Sequence, residues 1–284
     1  MVNCRALLSV AAFASSVKAW GAPAYSGFNL RWQDAFPGNS GTLPNTGNWN
    51  IITGYLNVNN EWEVYTSSTR NVQISGGQTL QLVPWRDSSA MYGWTSGRLE
   101  SKYVFTPEAG KVTRVEATIR FGGNSNKQGI WPAFWLLGES IRYGTQWPGG
   151  GELDVMEQVN GHLTGYGTVH CDRASGGICN EPNGIGASTG IPDNGWHNWR
   201  LEYNRRNGDW RAQTITWFLD GRQFHQISGA RINDYNTWVA LCQKPQFFLL
   251  NVAVGGNWPG APNGGTQDGY GSMMEIAYVA HYTS

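Results

Sequence analysis

Three acids stand close together in "GGGELDVMEQVNG": Glu152, Asp154 and Glu157, with apolar residues between them. Two carboxyls flanking a sugar–sugar bond are the working parts of most glycosidases. One, kept protonated, gives its proton to the leaving oxygen, and the other, ionised, attacks the anomeric carbon. A third acid between them could share protons and hold the pair in different ionisation states. The spacing has to permit this. Side chains of a β-strand alternate faces with period two, so Glu152 and Asp154 share one face and Leu153 and Val155 take the other. In a straight strand Glu157 would join Leu153 and Val155 in the core, where an unpaired carboxylate is costly. One extra residue, a β-bulge at Val155–Met156, returns Glu157 to the face of the other two. The spacing therefore predicts a bulged strand with all three acids on one side. An acid triple alone is also compatible with a solvated polar strand face.

The surroundings are aromatic. "GIWPAFWLLG" carries Trp131, Phe134 and Trp135, "QWPGG" places Trp147 just before the acids, and "GGNWPG" adds Trp258. Stiff aromatic rings offer apolar faces on which the C–H faces of sugars can stack. For a single Trp, core packing is the ordinary explanation. Trp147 and Trp258 differ in sitting beside Pro and Gly, in turn chemistry that predicts partly exposed rings.

The elements that would position these groups read as strands. "RNVQISGGQTLQLVP" is two alternating runs around Gly76-Gly77, a hairpin pattern. "VTRVEATIRF" alternates cleanly, with Val115, Ala117, Ile119 and Phe121 on one face and Arg114, Glu116, Thr118 and Arg120 on the other. "ITWFLDGRQFHQI" turns at Asp220-Gly221. "FFLLNVAV" is a continuous apolar run, as for a strand buried on both faces, and "MMEIAYVAHYT" reads as a last alternating strand. No segment shows a long helical period. Many short antiparallel strands in one domain predict an all-β, two-sheet sandwich or jelly roll.

Composition agrees. The chain has 284 residues, enough for one sizeable core, with 14% charged residues, 38 Gly and 15 Trp. Few charges with many turns and aromatics suit an all-β protein rather than a disordered chain. The first residues read as a secretory signal: Arg5 is the positive region, "ALLSVAAFA" the apolar one, and small residues allow cleavage after Ala19 or as late as Ala22. The expectation is a signal at 1–19 and a single domain at 20–284, exported and secreted. Loss of Arg5 and Lys18 from 20 basic residues, against 20 acidic ones, leaves a net charge of about −2. No basic run points to nucleic acid or an anionic membrane. Cys171 and Cys179 flank "DRASGGI" and could close that loop as a disulfide. Cys242 lies in the apolar run "WVALCQKPQFFLLNVAV" and reads as a buried free thiol.

These segments together resemble glycoside hydrolase family 16, in particular its laminarinase-like endo-β-1,3-glucanases. "NNEWEVYT", "TSGRLESK", "GIWPAFWLLG", "WPGGGELDVMEQVNG", "GTVH" and "LLNVAVGGNWPG" follow in the family's order across essentially the whole mature chain. The resemblance implies a β-jelly-roll of two stacked antiparallel sheets with a concave substrate cleft. It makes Glu152 the nucleophile, Glu157 the general acid/base and Asp154 the assisting carboxylate in hydrolysis with retention. The two residues before the last Glu match the laminarinase-like form; the lichenase and xyloglucan-transferase branches have one. The resemblance also puts Trp131, Trp135, Trp147 and Trp258 along the cleft, Asn60 and Arg98 against sugar hydroxyls, and His170 near the acid/base. For His170, hydrogen bonding within its loop is the competing explanation; Gln158 and Asn160 could reach a sugar or serve strand-end structure. Two departures concern a structural calcium that some members carry. The chain has Asp34-Ala35-Phe36 where Asp-Glu-Phe is common, and Ala277 where an Asp often stands, although Glu275 could still serve as a ligand. No other cofactor is implied.

The expected partner is a β-1,3-glucan, with mixed-linkage β-1,3-1,4-glucan as a further substrate, acted on by a monomer. Three alternatives remain at this level: hydrolysis of another β-linked polymer such as a β-1,3-galactan, transglycosylation of wall polymer, and a non-catalytic glucan-binding module. The intact acid set argues against the last.

Overall fold

The computed structural model describes residues 20–284. The signal-peptide reading of residues 1–19 lies outside them. In chain order the strands are β1 (Asn29–Asp34), β2 (Trp49–Ile51), β3 (Glu63–Tyr65), β4 (Val72–Ile74), β5 (Leu80–Leu82), β6 (Trp85–Arg86), β7 (Trp94–Ser96), β8 (Arg98–Phe105), β9 (Val112–Phe121), β10 (Ile130–Gly138), β11 (Glu152–Glu157), β12 (Thr164–His170), β13 (Ile185–Gly190), β14 (His197–Asn204), β15 (Thr214–Leu219), β16 (Arg222–Ser228), β17 (Gln246–Val254) and β18 (Met274–Thr283). Seven of them, in the order β13-β12-β11-β10-β17-β8-β2, form one antiparallel sheet. Seven more, β16-β15-β14-β9-β18-β5-β4, form the second, with β1 added alongside β18. The result is the all-β jelly-roll sandwich that the strand pattern predicts.

Period-two alternation builds the core. On β9, Val115, Ala117 and Ile119 are fully buried, and they lie opposite Leu201, Trp199 and His197 of β14. Phe134 and Leu136 of β10, Phe248 and Leu250 of β17, and Trp199 and Trp217 of β14 and β15 fill the space between the sheets. The β4–β5 hairpin turns around Gly76-Gly77. The β15–β16 turn places Asp220 and Gly221 at φ 49° and 79°. Consecutive left-handed residues give the turn a twist that suits a tight hairpin.

Two expectations change. The closing strand β18 reads as alternating, yet it is buried along its whole length. Its outer residues Ala277, Tyr278, Ala280 and Tyr282 are covered by Trp20, Ala22, Tyr25 and Phe28 at the start of the described chain and by Trp196. A covering segment from elsewhere leaves no trace in a strand's own pattern. The run "WVALCQKPQFFLLNVAV" is not all strand either: its first part belongs to helix α2 (Tyr235–Cys242), a short helix α1 (Gly229–Ile232) preceding it. The Asp234 carboxylate caps α2 by accepting from the Thr237 N–H at 2.8 Å. Trp238, Leu241 and Cys242 are its buried face, a helical period too short to separate from an apolar run by pattern alone. Cys242 is a buried free thiol and Cys171–Cys179 a disulfide. No helix among the described residues is long and apolar enough to cross a membrane.

Candidate active site

The register of β11 holds the predicted bulge. Against β12, Asp154 lies opposite Thr168 and Glu157 opposite Tyr166, so three steps on β11 match two on β12. Against β10, Met156 faces Phe134 and Asp154 faces the next residue, Trp135, again with one position skipped. Val155 and Met156 both bury their side chains in the core. With two consecutive residues turned inward, Glu157 comes back to the face of Glu152 and Asp154. The far sheet braces this kink. The Trp217 indole N–H donates to the Asp154 carbonyl at 2.7 Å. Gly167, opposite the bulge, makes room for that ring: a Cβ there would stand 2.5 Å from Trp217 Cδ1.

The three acids lie in a cleft of about 420 Å³ on the outer face of the seven-stranded sheet. Trp131, Ala133, Trp135 and Leu137 of β10 and Asn251 and Ala253 of β17 line it with them. Period two sends the intervening residues Phe134, Leu136, Leu250 and Val252 into the core. Trp131 and Trp147, expected as stacking rings, hold the acids by hydrogen bonds. Trp131 Nε1 donates to Glu157 Oε1 at 3.0 Å and Trp147 Nε1 to Glu152 Oε2 at 3.1 Å. Trp135 donates to Asn251 Oδ1 at 2.7 Å, and the Arg98 guanidinium lies 5.0 Å over the Trp135 ring. Arg98 is braced further by Glu100 at 2.9 Å and lines the cleft.

His170 ends β12 directly opposite Glu152. Its Nε2 lies 3.3 Å from Asp154 Oδ2 and its Nδ1 2.6 Å from Glu181 Oε2. A carboxylate oxygen of each of Glu152 and Asp154 and a ring nitrogen of His170 all fall within 4.8 Å of one another. Trp147 and Trp258 are 37% and 44% exposed, as their turn setting predicts. Trp258 stands edge-on to Trp131 and to Tyr166, with ring centroids 5.6 and 4.9 Å apart. Asn60 sits outside the cleft lining, donating to Asn257 Oδ1 at 2.6 Å; its neighbour Asn59 lines the cleft instead. Asn160 ties loops together, accepting from the Gly129 N–H and donating to the Pro259 carbonyl. Gln158 is buried.

Burial in the cleft pushes Glu152 up to about 8, and the negative charge of Asp154 adds to this, against the pull of His170 and the Trp147 N–H. Glu157 lies well above the usual carboxylate range, again through burial first and Asp154 second. For His170 burial works downward, but the carboxylates of Asp154 and Glu181 outweigh it and carry the ring up to about 11. Burial and Asp154 thus favour the protonated form of Glu157, and the carboxylates beside His170 favour the charged form of its ring.

Three residues the sequence reading did not single out join the cleft or its support. Glu61 lines the cleft and accepts a hydrogen bond from the Asn59 side-chain amide at 3.1 Å; Asn251 orients Trp135; Glu181 holds His170. Glu61 lies in the quoted "NNEWEVYT". Glu181 carries no local signal, because only closure of the disulfide loop brings it to His170. The residues weighed for a structural calcium do not fit that ion. The Glu275 carboxylate is committed to Arg120 and to the Thr79 and Gln81 side chains. Asp34 accepts from the Phe36 N–H, Asn48 and Trp49, and Ala277 offers no ligand atom. Both carboxylates face donors, one of them a guanidinium, where a cation needs acceptors.

Comparison with known proteins points the same way as the geometry. The model of the XgeA-like catalytic domain of glycoside hydrolase family 16 matches residues 87–194. The chain is similar to the endo-1,3-β-glucanase of Streptomyces sioyaensis, with 37% identity, a TM-score of 0.86, and coverage of 93% of this chain and 99% of that one. The endo-β-1,3-glucanase of Pyrococcus furiosus is 29% identical, with a TM-score of 0.71 over 90% and 94% of the two chains. Glucan endo-1,3-beta-glucosidase A1 of Niallia circulans is 31% identical over 290 residues, covering 92% of this chain and 38% of that protein. The chain spans less than two-fifths of the length of the curated relatives it first matches.

Proposed function

The chain belongs to glycoside hydrolase family 16, and from that premise we propose that it is a retaining endo-β-glucanase cutting β-1,3-glucan, and mixed-linkage β-1,3-1,4-glucan as a further substrate. The observation that carries the reading is the bulge at Val155–Met156, which sets Glu152 and Glu157 on one cleft face, each under an indole N–H. In the first step Glu152 attacks the anomeric carbon while Glu157 passes its proton to the departing glucosyl oxygen. In the second, Glu157 takes a proton from water, the water oxygen bonds the anomeric carbon, and Glu152 leaves as the carboxylate. Asp154, between the two and paired with His170, supplies negative charge that favours retention of the Glu157 proton until the leaving oxygen needs it. Trp135 and Trp258 offer ring surface to the sugars. Its substrate is a neutral polysaccharide, and it acts as a monomer outside the cell, where the Cys171–Cys179 disulfide persists.

Product profiles on laminarin, lichenan and a β-1,3-galactan test this. Short β-1,3-oligoglucosides should appear from laminarin early and in a mixture of lengths. Release from galactan with neither glucan cut would overturn the substrate assignment. Products longer than a single-length oligosaccharide supplied as substrate would reveal transglycosylation.

The raised acids set a pH prediction. Glu152 attacks only when ionised and Glu157 donates only when protonated, so kcat/KM is bell-shaped. Because Glu152 is raised toward about 8, the acid limb moves up from the ordinary carboxylate position. Glu157 is held well above the usual carboxylate range by burial and Asp154, so the alkaline limb moves up as well. A profile whose acid limb sits near ~4.3, the value of a free glutamate, and which declines before pH ~7 would contradict this electrostatic account.

A further inference from the structure

We propose that Glu181 is a positioning residue of the cleft, acting through His170: its buried carboxylate keeps the ring doubly protonated, so that the imidazolium charge stands beside Asp154 and Glu152. This deepens the glycosidase reading and rests on it only for its kinetic consequence.

The geometry is that of a ring clamped between two anions. His170 Nδ1 is 2.6 Å from Glu181 Oε2 and Nε2 is 3.3 Å from Asp154 Oδ2. A neutral imidazole has one N–H and one lone pair. Either tautomer would point that lone pair at a carboxylate oxygen, so two carboxylates on opposite nitrogens select the cation. The Glu181 side chain is fully buried, and His170 is its ion-pair partner among the described residues. A buried carboxylate left without a cation is strongly unfavourable, so each group requires the other.

Glu181 is held where the clamp needs it. Its second oxygen accepts the backbone N–H of Cys171 at 2.8 Å, the residue directly after His170. Its own backbone pairs with Gly176 in both directions, at 2.6 and 2.9 Å. The Cys171–Cys179 disulfide closes the loop between them. The groups facing His170 are Glu152 and Asp154 from β11, Glu181 from this loop, and the uncharged Trp147 ring at 5.7 Å. Arg98 acts on Glu152 from the other side of the cleft. The imidazolium lowers the proton affinity of both Glu152 and Glu157, so its loss would leave the nucleophile protonated to higher pH.

The test follows the ring itself by NMR of 15N-histidine-labelled protein, alongside kcat and KM across pH on laminarin. In the unmodified protein His170 should show two protonated nitrogens through pH ~8, beyond the ordinary imidazole value of ~6.5. In Glu181→Gln the ring should titrate close to that ordinary value. An imidazole with that value is only a few per cent charged at pH ~8, so kcat of the variant relative to the unmodified protein should fall about tenfold between pH ~6 and pH ~8, with KM little changed. Glu181→Asp should recover part of both. A His170 that is neutral in the unmodified protein at pH ~7 overturns the proposal, and this measurement stands even if Glu181→Gln does not fold. An unchanged ring titration in a folded Glu181→Gln overturns it as well. If the titration moves as expected but no glucan is cut, the functional reading falls and the clamp remains.

Discussion

Glu152→Gln should lower kcat on β-1,3-glucan by about 10⁴-fold, roughly 5.5 kcal/mol of transition-state stabilisation, while leaving the fold intact. The amide matches the carboxylate in shape and can still accept from the Trp147 N–H, now at 3.1 Å. What it lacks is a nucleophilic oxygen able to bond the anomeric carbon. Stability should hold or rise slightly, because burial and Asp154 already disfavour the charged form of Glu152, and removing such a group relieves a site built for activity. Glu157→Gln should fail differently. A substrate with a good leaving group needs little protonation, so the glycosyl-enzyme still forms but water lacks its base. Azide, which needs no deprotonation, should then restore turnover by bonding the anomeric carbon as the Glu152 carboxylate departs. Kinetics on laminarin and on an aryl β-glucoside, with and without azide, separate the two variants. Equal losses on both substrates with no azide effect would remove the distinction between nucleophile and acid.

The second large effect lies beneath the site. Trp217→Ala should cost about 3–5 kcal/mol of stability and lower the Tm by about 10 °C, with a further loss of kcat in the protein that remains folded. Trp217 is fully buried between the sheets and is the brace of the bulge. Removing the ring opens a cavity against Gly167, where nothing else fills the space. Trp217→Phe keeps most of that volume but drops the N–H, leaving the Asp154 carbonyl without this donor at a cost of about 1–3 kcal/mol. Calorimetry together with kcat on the two variants checks both terms. If Trp217→Ala kept the Tm and Trp217→Phe kept full activity, the brace would have no role in shaping β11.

The face shared by Glu152, Asp154 and Glu157 was legible before any coordinates, because parity in a strand is strict and a buried lone carboxylate is expensive. Those two facts leave a bulge as the way to reconcile a gap of two with a gap of three. The sandwich was legible for the same reason of parity. The hydrogen bonds of Trp131 and Trp147 to the acids were not: a pattern shows where a ring stands, not where its N–H points. Asn59 and Asn60 are adjacent and chemically alike, and only the turn geometry decides which faces the cleft; both have left-handed φ. Glu181 was hidden because its contact with His170 runs through a disulfide-closed loop. The outer face of β18 and the helix α2 were missed because one is covered by a distant segment and the other is two turns long.

Retention requires Glu152 to form a covalent bond to sugar in a cleft shared with Glu157. The most direct measurement is mass spectrometry of peptides from protein inactivated with a 2-deoxy-2-fluoro-β-1,3-oligoglucoside bearing an activated leaving group. The fluorine slows both steps and the leaving group rescues only the first, so the intermediate accumulates. The predicted result is one glycosyl group per chain on the peptide containing "GELDVMEQVN", with fragmentation assigning it to Glu152. A label on Glu157, or a turnover that inverts the anomeric centre and leaves no label, would contradict it.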